Sequence, residues 1–196
     1  MTAAGILLDG STHTYFVDGE MKPGVTRVLE DVGIIDYSQI PDGVRVRALE
    51  RGRHVHQVCQ YHDEGDLGTV PAGLQCYLDA WRRFRDDYVF VPRLIEHRGY
   101  HALYGYAGTL DREGVIKDGS DVLLDIKTSV APWWAAIQTA AYAAFMEQPA
   151  KRRRMAVALL ADGNYKVHSY RCADYARDMN DFHAALNTYR CKRRNR

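Results

Sequence analysis

The chain has no apolar run long enough to cross a bilayer, no C-x-x-C pair, no G-x-x-x-x-G-K-[ST] phosphate loop, no internal repeat and almost no net charge. Each absence removes a class of function. A bilayer span needs roughly 18 to 20 consecutive apolar residues. The opening MTAAGILLDG has neither a basic leader nor a long apolar stretch behind it, so a cytoplasmic protein is expected. The four cysteines, Cys59, Cys76, Cys172 and Cys191, have no histidine partners at zinc-finger spacing. Reduced structural thiols are therefore expected. Without a phosphate loop the chain carries no helicase motor of its own, and any unwinding belongs to a partner or to a frayed end. A net charge of +1 offers no global field to a polyanion.

What is present is the profile of one globular domain: 196 residues, 46% hydrophobic and 26% charged, enough for a sizeable core. The basic residues gather in two places, Lys151-Arg152-Arg153-Arg154 and a C-terminal group of Arg190, Lys192, Arg193, Arg194 and Arg196. Each reads either as solvated surface or as a hold on a nucleic-acid backbone.

Along the chain, STHTYFVDGEMKPGVT predicts a hairpin around Asp18-Gly19, followed by a short helix from Val25 to Val32 that Gly33 ends. A second helix is expected after Pro41-Asp42, through RVRALERGRHVHQVCQYH, and a third in QCYLDAWRRFRDD, where Tyr77, Leu78, Trp81 and Phe84 recur at helical spacing. From Leu94 the texture turns to strand, with a turn signal at KDGSD. A helix starting near Pro132 runs through WWAAIQTAAYAAFME; then come a hairpin, MAVALLADGNYKVHSYR, and a last helix from Asp174 toward Tyr189. The order implies a mixed α/β fold with helices on both sides of a central sheet. One domain over 1–196 is expected, with the hairpin and first helices in 1–90, the sheet and its helices in 91–190 and a basic tail in 190–196.

The segment LLDIKTSV, 123–130, raises the chemical question. In a strand, Val122, Leu124 and Ile126 face one way and Leu123, Asp125 and Lys127 the other. The charged face reads as a solvated surface pair or as a site. Loop parity decides which acid meets it. A three- or five-residue loop between the strands puts Asp111 opposite Asp125 or Lys127 on one face; a two-residue loop at Asp118-Gly119 puts it on the other. Two converging carboxylates are costly unless something positive lies between them. Mg²⁺ suits such oxygen ligands, with the Ile126 carbonyl as a further one, and Lys127 beside it can orient water and offset charge on a phosphate.

Asp111 followed by Asp125-Ile126-Lys127 resembles the D…(D/E)-x-K core of the PD-(D/E)xK nuclease superfamily, in its RecB-like exonuclease branch. The surrounding residues are similar too: Gly108-Thr109-Leu110-Asp111 to the G-x-x-D context of that aspartate, Gln138 and Tyr142 to a Q-x-x-x-Y helix, Gly52 and His56 to an upstream helix histidine, and Glu96 to an acid before the first aspartate. The opening HTYFVDGEMKPGVTRVL is similar to the start of phage-encoded proteins of this type. The chain departs from the family's iron-sulfur branch, because its cysteines lack the clustered C-terminal trio.

The resemblance implies a restriction-endonuclease-like domain and a Mg²⁺-dependent DNA exonuclease, with Mn²⁺ as substitute, serving phage-type recombination or replication with a partner protein. Asp111, Asp125, Lys127 and Glu96 would be catalytic; His56, Asp111, Asp125 and the Ile126 carbonyl would hold the ion. Gln138, Tyr142, Trp133, Trp134 and the run Lys151, Arg152, Arg153 and Arg154 would meet DNA. Each residue has a plainer reading. His56 also reads as a core histidine beside a small Gly52 that lets its helix approach the sheet, Tyr142 and the tryptophans as packing, and Glu96 as surface charge. A structure-selective endonuclease and a binding protein that no longer cuts are the alternatives at the level of function.

Overall fold

In the computed structural model, which describes residues 5–10 and 14–195, the LLDIK segment is the middle strand of a five-stranded sheet. Ser11 to His13, at the start of the expected hairpin, and Arg196 lie outside the described residues. The sheet runs in chain order: β4 (Val91–His101), β5 (Tyr106–Val115), β6 (Asp121–Lys127), β7 (Arg153–Leu159) and β8 (Tyr165–Tyr170). All neighbours are antiparallel except β6 and β7. A parallel pair requires a crossover, and α4 (Ala135–Ala143) supplies it.

Ahead of this sheet stand β1 (Ile6–Asp9), β2 (Thr14–Val17) and β3 (Glu20–Lys22), a small antiparallel sheet. The Asp18-Gly19 turn between β2 and β3 has φ of 51° and 81°, the left-handed pair that Asp-Gly accommodates. The first of these strands was not expected. The helices follow as read: α1 (Val25–Asp31), α2 (Asp42–Glu64), α3 (Ala72–Tyr88) and, after the large sheet, α5 (Tyr175–Arg194).

The sheet is covered on both faces. Leu123 joins a cluster with Leu29, Ile137 and Phe182, from α1, α4 and α5. Val122, Leu124 and Ile126 join the opposite cluster with Val55, Trp81 and Phe84, from α2 and α3. The charged face of β6 is thus not solvated: Asp125 is only 3% exposed, with α4 rather than water above it.

A pair of glycines lets α4 lie this close. Gly99 and Gly108 face each other across β4 and β5; a Cβ at Gly108 would come within 2.7 Å of a Tyr142 ring carbon, and one at Gly99 would overlap the Phe145 ring. Gly52 has no such role, since a Cβ there meets only Thr128 Oγ1 at 4.0 Å. Glycine itself is thus not required there, and an alanine would sit in ordinary contact with Thr128. Boundaries also differ, and the helix expected to run to Glu147 ends at Ala143. The helix expected from Pro132 begins at Ala135, because the Pro132 carbonyl accepts the Ala135 N–H in a turn that contains Trp133 and Trp134. The basic tail is helical to Arg194, where cations suit the negative end of the helix dipole. No described helix is long and apolar enough to cross a membrane.

Candidate active site

Val115 pairs with Asp121, so the β5–β6 loop has five residues, an odd number. The register reaches Arg112 opposite Leu124, and one step further Asp111 faces Asp125. On its other side Asp111 faces Glu96, between the pairs Ile95–Arg112 and His97–Leu110. Three carboxylates therefore stand in one row across β4, β5 and β6. The ladder opens there, and the Ile126 N–H donates to Asp111 Oδ2 at 2.6 Å. Glu96 has φ of 45°, a left-handed conformation that costs a non-glycine residue roughly 1 to 3 kcal/mol and is common where a side chain must be aimed.

His56 reaches this row from α2. Its Nε2 lies 3.0 Å from the Ile126 carbonyl oxygen; a carbonyl only accepts, so Nε2 carries the proton. In the neutral ring this leaves the Nδ1 lone pair 3.5 Å from Asp111 Oδ1 and 3.7 Å from Glu96 Oε1. One atom each from His56, Glu96 and Asp111 lies within 4.8 Å of the others. Burial alone would depress the imidazole pKa, but the Asp111 and Glu96 carboxylates outweigh it and raise it to about 9.

Asp125 answers Lys127, whose Nζ is 2.7 Å from Asp125 Oδ2. The ammonium donates to Gln138 Oε1 at 3.0 Å and lies 5.2 Å from the centre of the Trp134 ring. The Gln138 amide in turn donates to Thr26 Oγ1 at 3.1 Å and to the Tyr142 hydroxyl at 3.2 Å. Gln138 and Tyr142 are buried, so as placed they hold Lys127 from behind and offer no open edge to a strand. Trp133, by contrast, is 70% exposed.

Burial pushes the Asp111 carboxyl up, partly offset by His56; it also pushes up Asp125, partly offset by Lys127. The row holds three acids against Lys127 and an Arg112 that is shared with a fourth, Asp63. Carboxylate oxygens and one imidazole, whose proton a metal would displace, together fit a hard divalent cation.

Behind the row lies a pair that the sequence reading missed. The fully buried Arg112 guanidinium donates from Nε to Asp63 Oδ2 at 2.6 Å and from NH1 to Glu96 Oε1 at 3.0 Å. Trp81 and Arg85 donate to the other Asp63 oxygen at 2.9 and 2.8 Å. The signal was there: Asp63 follows His56 by two helical turns and so shares its face, and Arg112 adjoins Asp111.

The basic run is split by strand alternation. Arg154 is fully buried against Asp178 at 2.8 Å, Arg152 is bonded to Glu113, and Arg153 pairs with Asp118 at 2.8 Å. Arg152 and Arg154 thus have no free cation for a phosphate, contrary to the sequence reading. The run also lies toward the opposite end of β6 from Lys127. Arg153 pairs with Val122 and Ala156 with Asp125, so about 10 Å along the strand, at ~3.3 Å per residue, separates Arg153 from the carboxylates.

No protein-family model matches the chain, and no curated protein matches it. Among solved structures the chain is similar to LHK-Exo in complex with dAMP, at 17% identity and a TM-score of 0.37, over 89% of this chain and 92% of that one. It is similar also to an alkaline exonuclease (LHK-Exo) from Laribacter hongkongensis, at 16% identity and a TM-score of 0.35, over the same shares.

Proposed function

We propose that the chain is a Mg²⁺-dependent DNA exonuclease of the PD-(D/E)xK type, in its RecB-like branch, removing nucleotides from DNA ends in phage-type recombination or replication, in the cytoplasm and with a partner protein. The row of Glu96, Asp111 and Asp125, closed by His56 and Lys127 at one end of the sheet, is the observation that carries this reading.

Asp111, Asp125, His56 and the Ile126 carbonyl would hold the ion, Mg²⁺ or Mn²⁺, with Glu96 within reach of His56 and Asp111. When bound, the ion supplies a Lewis acid that polarises the phosphate and makes water a better nucleophile at neutral pH. The protein's own part is positioning. Lys127, fixed by Gln138 and Asp125, orients water for attack on phosphorus and lends its ammonium to the charge that grows there. Gln138 in turn is aimed by Thr26 and Tyr142. Arg112 keeps the Glu96 carboxylate turned to the site. Exposed Trp133, with Trp134 beside Lys127, gives an end nucleotide a stacking surface, worth roughly 1 to 3 kcal/mol per base.

Linear and closed circular DNA of one sequence, incubated with protein and Mg²⁺, test the reading. Linear DNA is expected to shorten from its ends to small products, the circle to persist, and excess chelator to stop the reaction. Cleavage undiminished in chelator removes the metal site. Nicking of the circle as fast as digestion of the linear form moves the reading to an endonuclease.

A further inference from the structure

Helix α2 outruns the core it packs on. Its buried residues begin only at Val55, and before them Val44, Val46 and Leu49 are 48%, 46% and 51% exposed. A buried half and a free half thus share one helix, with His56 at the junction. Stepping outward from His56 by three, seven and eleven residues gives Arg53, Leu49 and Arg45, one stripe on the face that points His56 at the carboxylates. At 1.5 Å per residue they stand about 4.5, 10 and 16 Å from His56 along the axis.

From this stripe we infer that the free half of α2 is an arm on which the phosphate backbone of the DNA strand lies as it approaches the site, held by Arg53 and Arg45 with Leu49 against the sugar between them. The inference rests on the nuclease reading and gives it the contact that the basic run on β7 does not provide. Charge chooses the occupant. Arg53 makes no ion pair among the described residues, and Arg45 is engaged only by Asp42 at 2.9 Å, a surface pair that exchanges readily for a phosphate. A second copy of the chain docked on the same stripe would set these arginines against one another.

The same helix provides its own control. Arg47 and Arg51 carry equal charge on the reverse side of the arm, four residues apart. Binding of a labelled 30-nucleotide strand is measured in Ca²⁺ across a salt series for wild type, Arg45→Gln/Arg53→Gln and Arg47→Gln/Arg51→Gln. The first pair is expected to weaken Kd about tenfold and to flatten the log–log salt dependence by about 1.5, the loss of two phosphate contacts. The reverse-face pair stays within about twofold of wild type. Equal losses in both pairs, or none in the first, overturn the arm while leaving the nuclease reading intact. Wild-type protein that binds and cuts no DNA overturns the nuclease reading, and the arm with it. A wild-type dimer in sedimentation that Arg45→Gln/Arg53→Gln tightens makes the stripe a self-association face and overturns the arm as well.

Discussion

The Arg112 guanidinium donates to the Asp63 carboxylate at 2.6 Å, and neither side chain has any exposure to solvent. Removing one member of such a pair strands the other, at a typical cost of about 3 to 5 kcal/mol. Asp63→Ala is expected to lose stability of that order in urea denaturation and to lower cleavage in the surviving folded fraction, because Arg112 no longer holds Glu96. A change below about 1 kcal/mol shows that water or a neighbouring acid replaces Asp63.

Asp125→Asn keeps shape and burial and removes a charge. Cleavage is expected to fall at least about a hundredfold, while DNA binding in Ca²⁺ stays level or tightens, since a carboxylate that repels phosphate is gone. Parallel loss of binding and cleavage shows Asp125 to be a structural residue.

In metal-free protein the raised pKa of His56 links stability to pH. Its folded value, about 9, lies above the ordinary 6.5, so the folded state holds the proton more tightly than the unfolded chain does. The stabilisation is complete below pH 6.5 and is lost as pH rises through about 9. Urea unfolding in chelator is expected to show wild type exceeding His56→Asn by more at pH 6 than at pH 9.5. A constant difference, or one that grows with pH, disproves the coupling to Asp111 and Glu96.

Gly108→Ala places a methyl 2.7 Å from the Tyr142 ring. Overpacking of this kind costs about 1 to 3 kcal/mol. Because α4 also presents Gln138 to Lys127, the variant is expected to melt lower and to lose kcat together. A variant with wild-type melting shows that Tyr142 yields freely.

Much of this architecture was legible. The alternation in VLLDIK predicted which β6 residues part to opposite faces, and, β1 apart, the Asp18-Gly19 turn and the order of helices and strands stand where periodicity put them. Loop parity was not legible, because the Asp118-Gly119 signal serves a two-residue turn or a longer one equally well. The fold decides it: Ile116 is buried in the α2–α3 cluster with its N–H on the Ser120 carbonyl, and the Lys117 N–H turns away to the Tyr88 carbonyl, which leaves an odd number of residues at the turn. The basic run misled for a related reason. Four consecutive cations look like one patch, but strand alternation sends Arg154 inward to an acid on α5 that no local pattern announces. Asp63 and Arg112, distant in sequence, became partners only through the packing of α2 on the sheet.

Helix α2 is a single uninterrupted run of 23 residues anchored at one end, and its two halves should live on different clocks. Amide protons in its C-terminal half, locked beneath Val55 and Cys59, exchange with solvent only when the domain opens as a whole. Those near Val44 to Leu49 exchange by local fraying, since little but the helix's own hydrogen bonds protects them. The boundary falls beside His56, so the imidazole that faces the carboxylates is expected to sit where slow exchange gives way to fast.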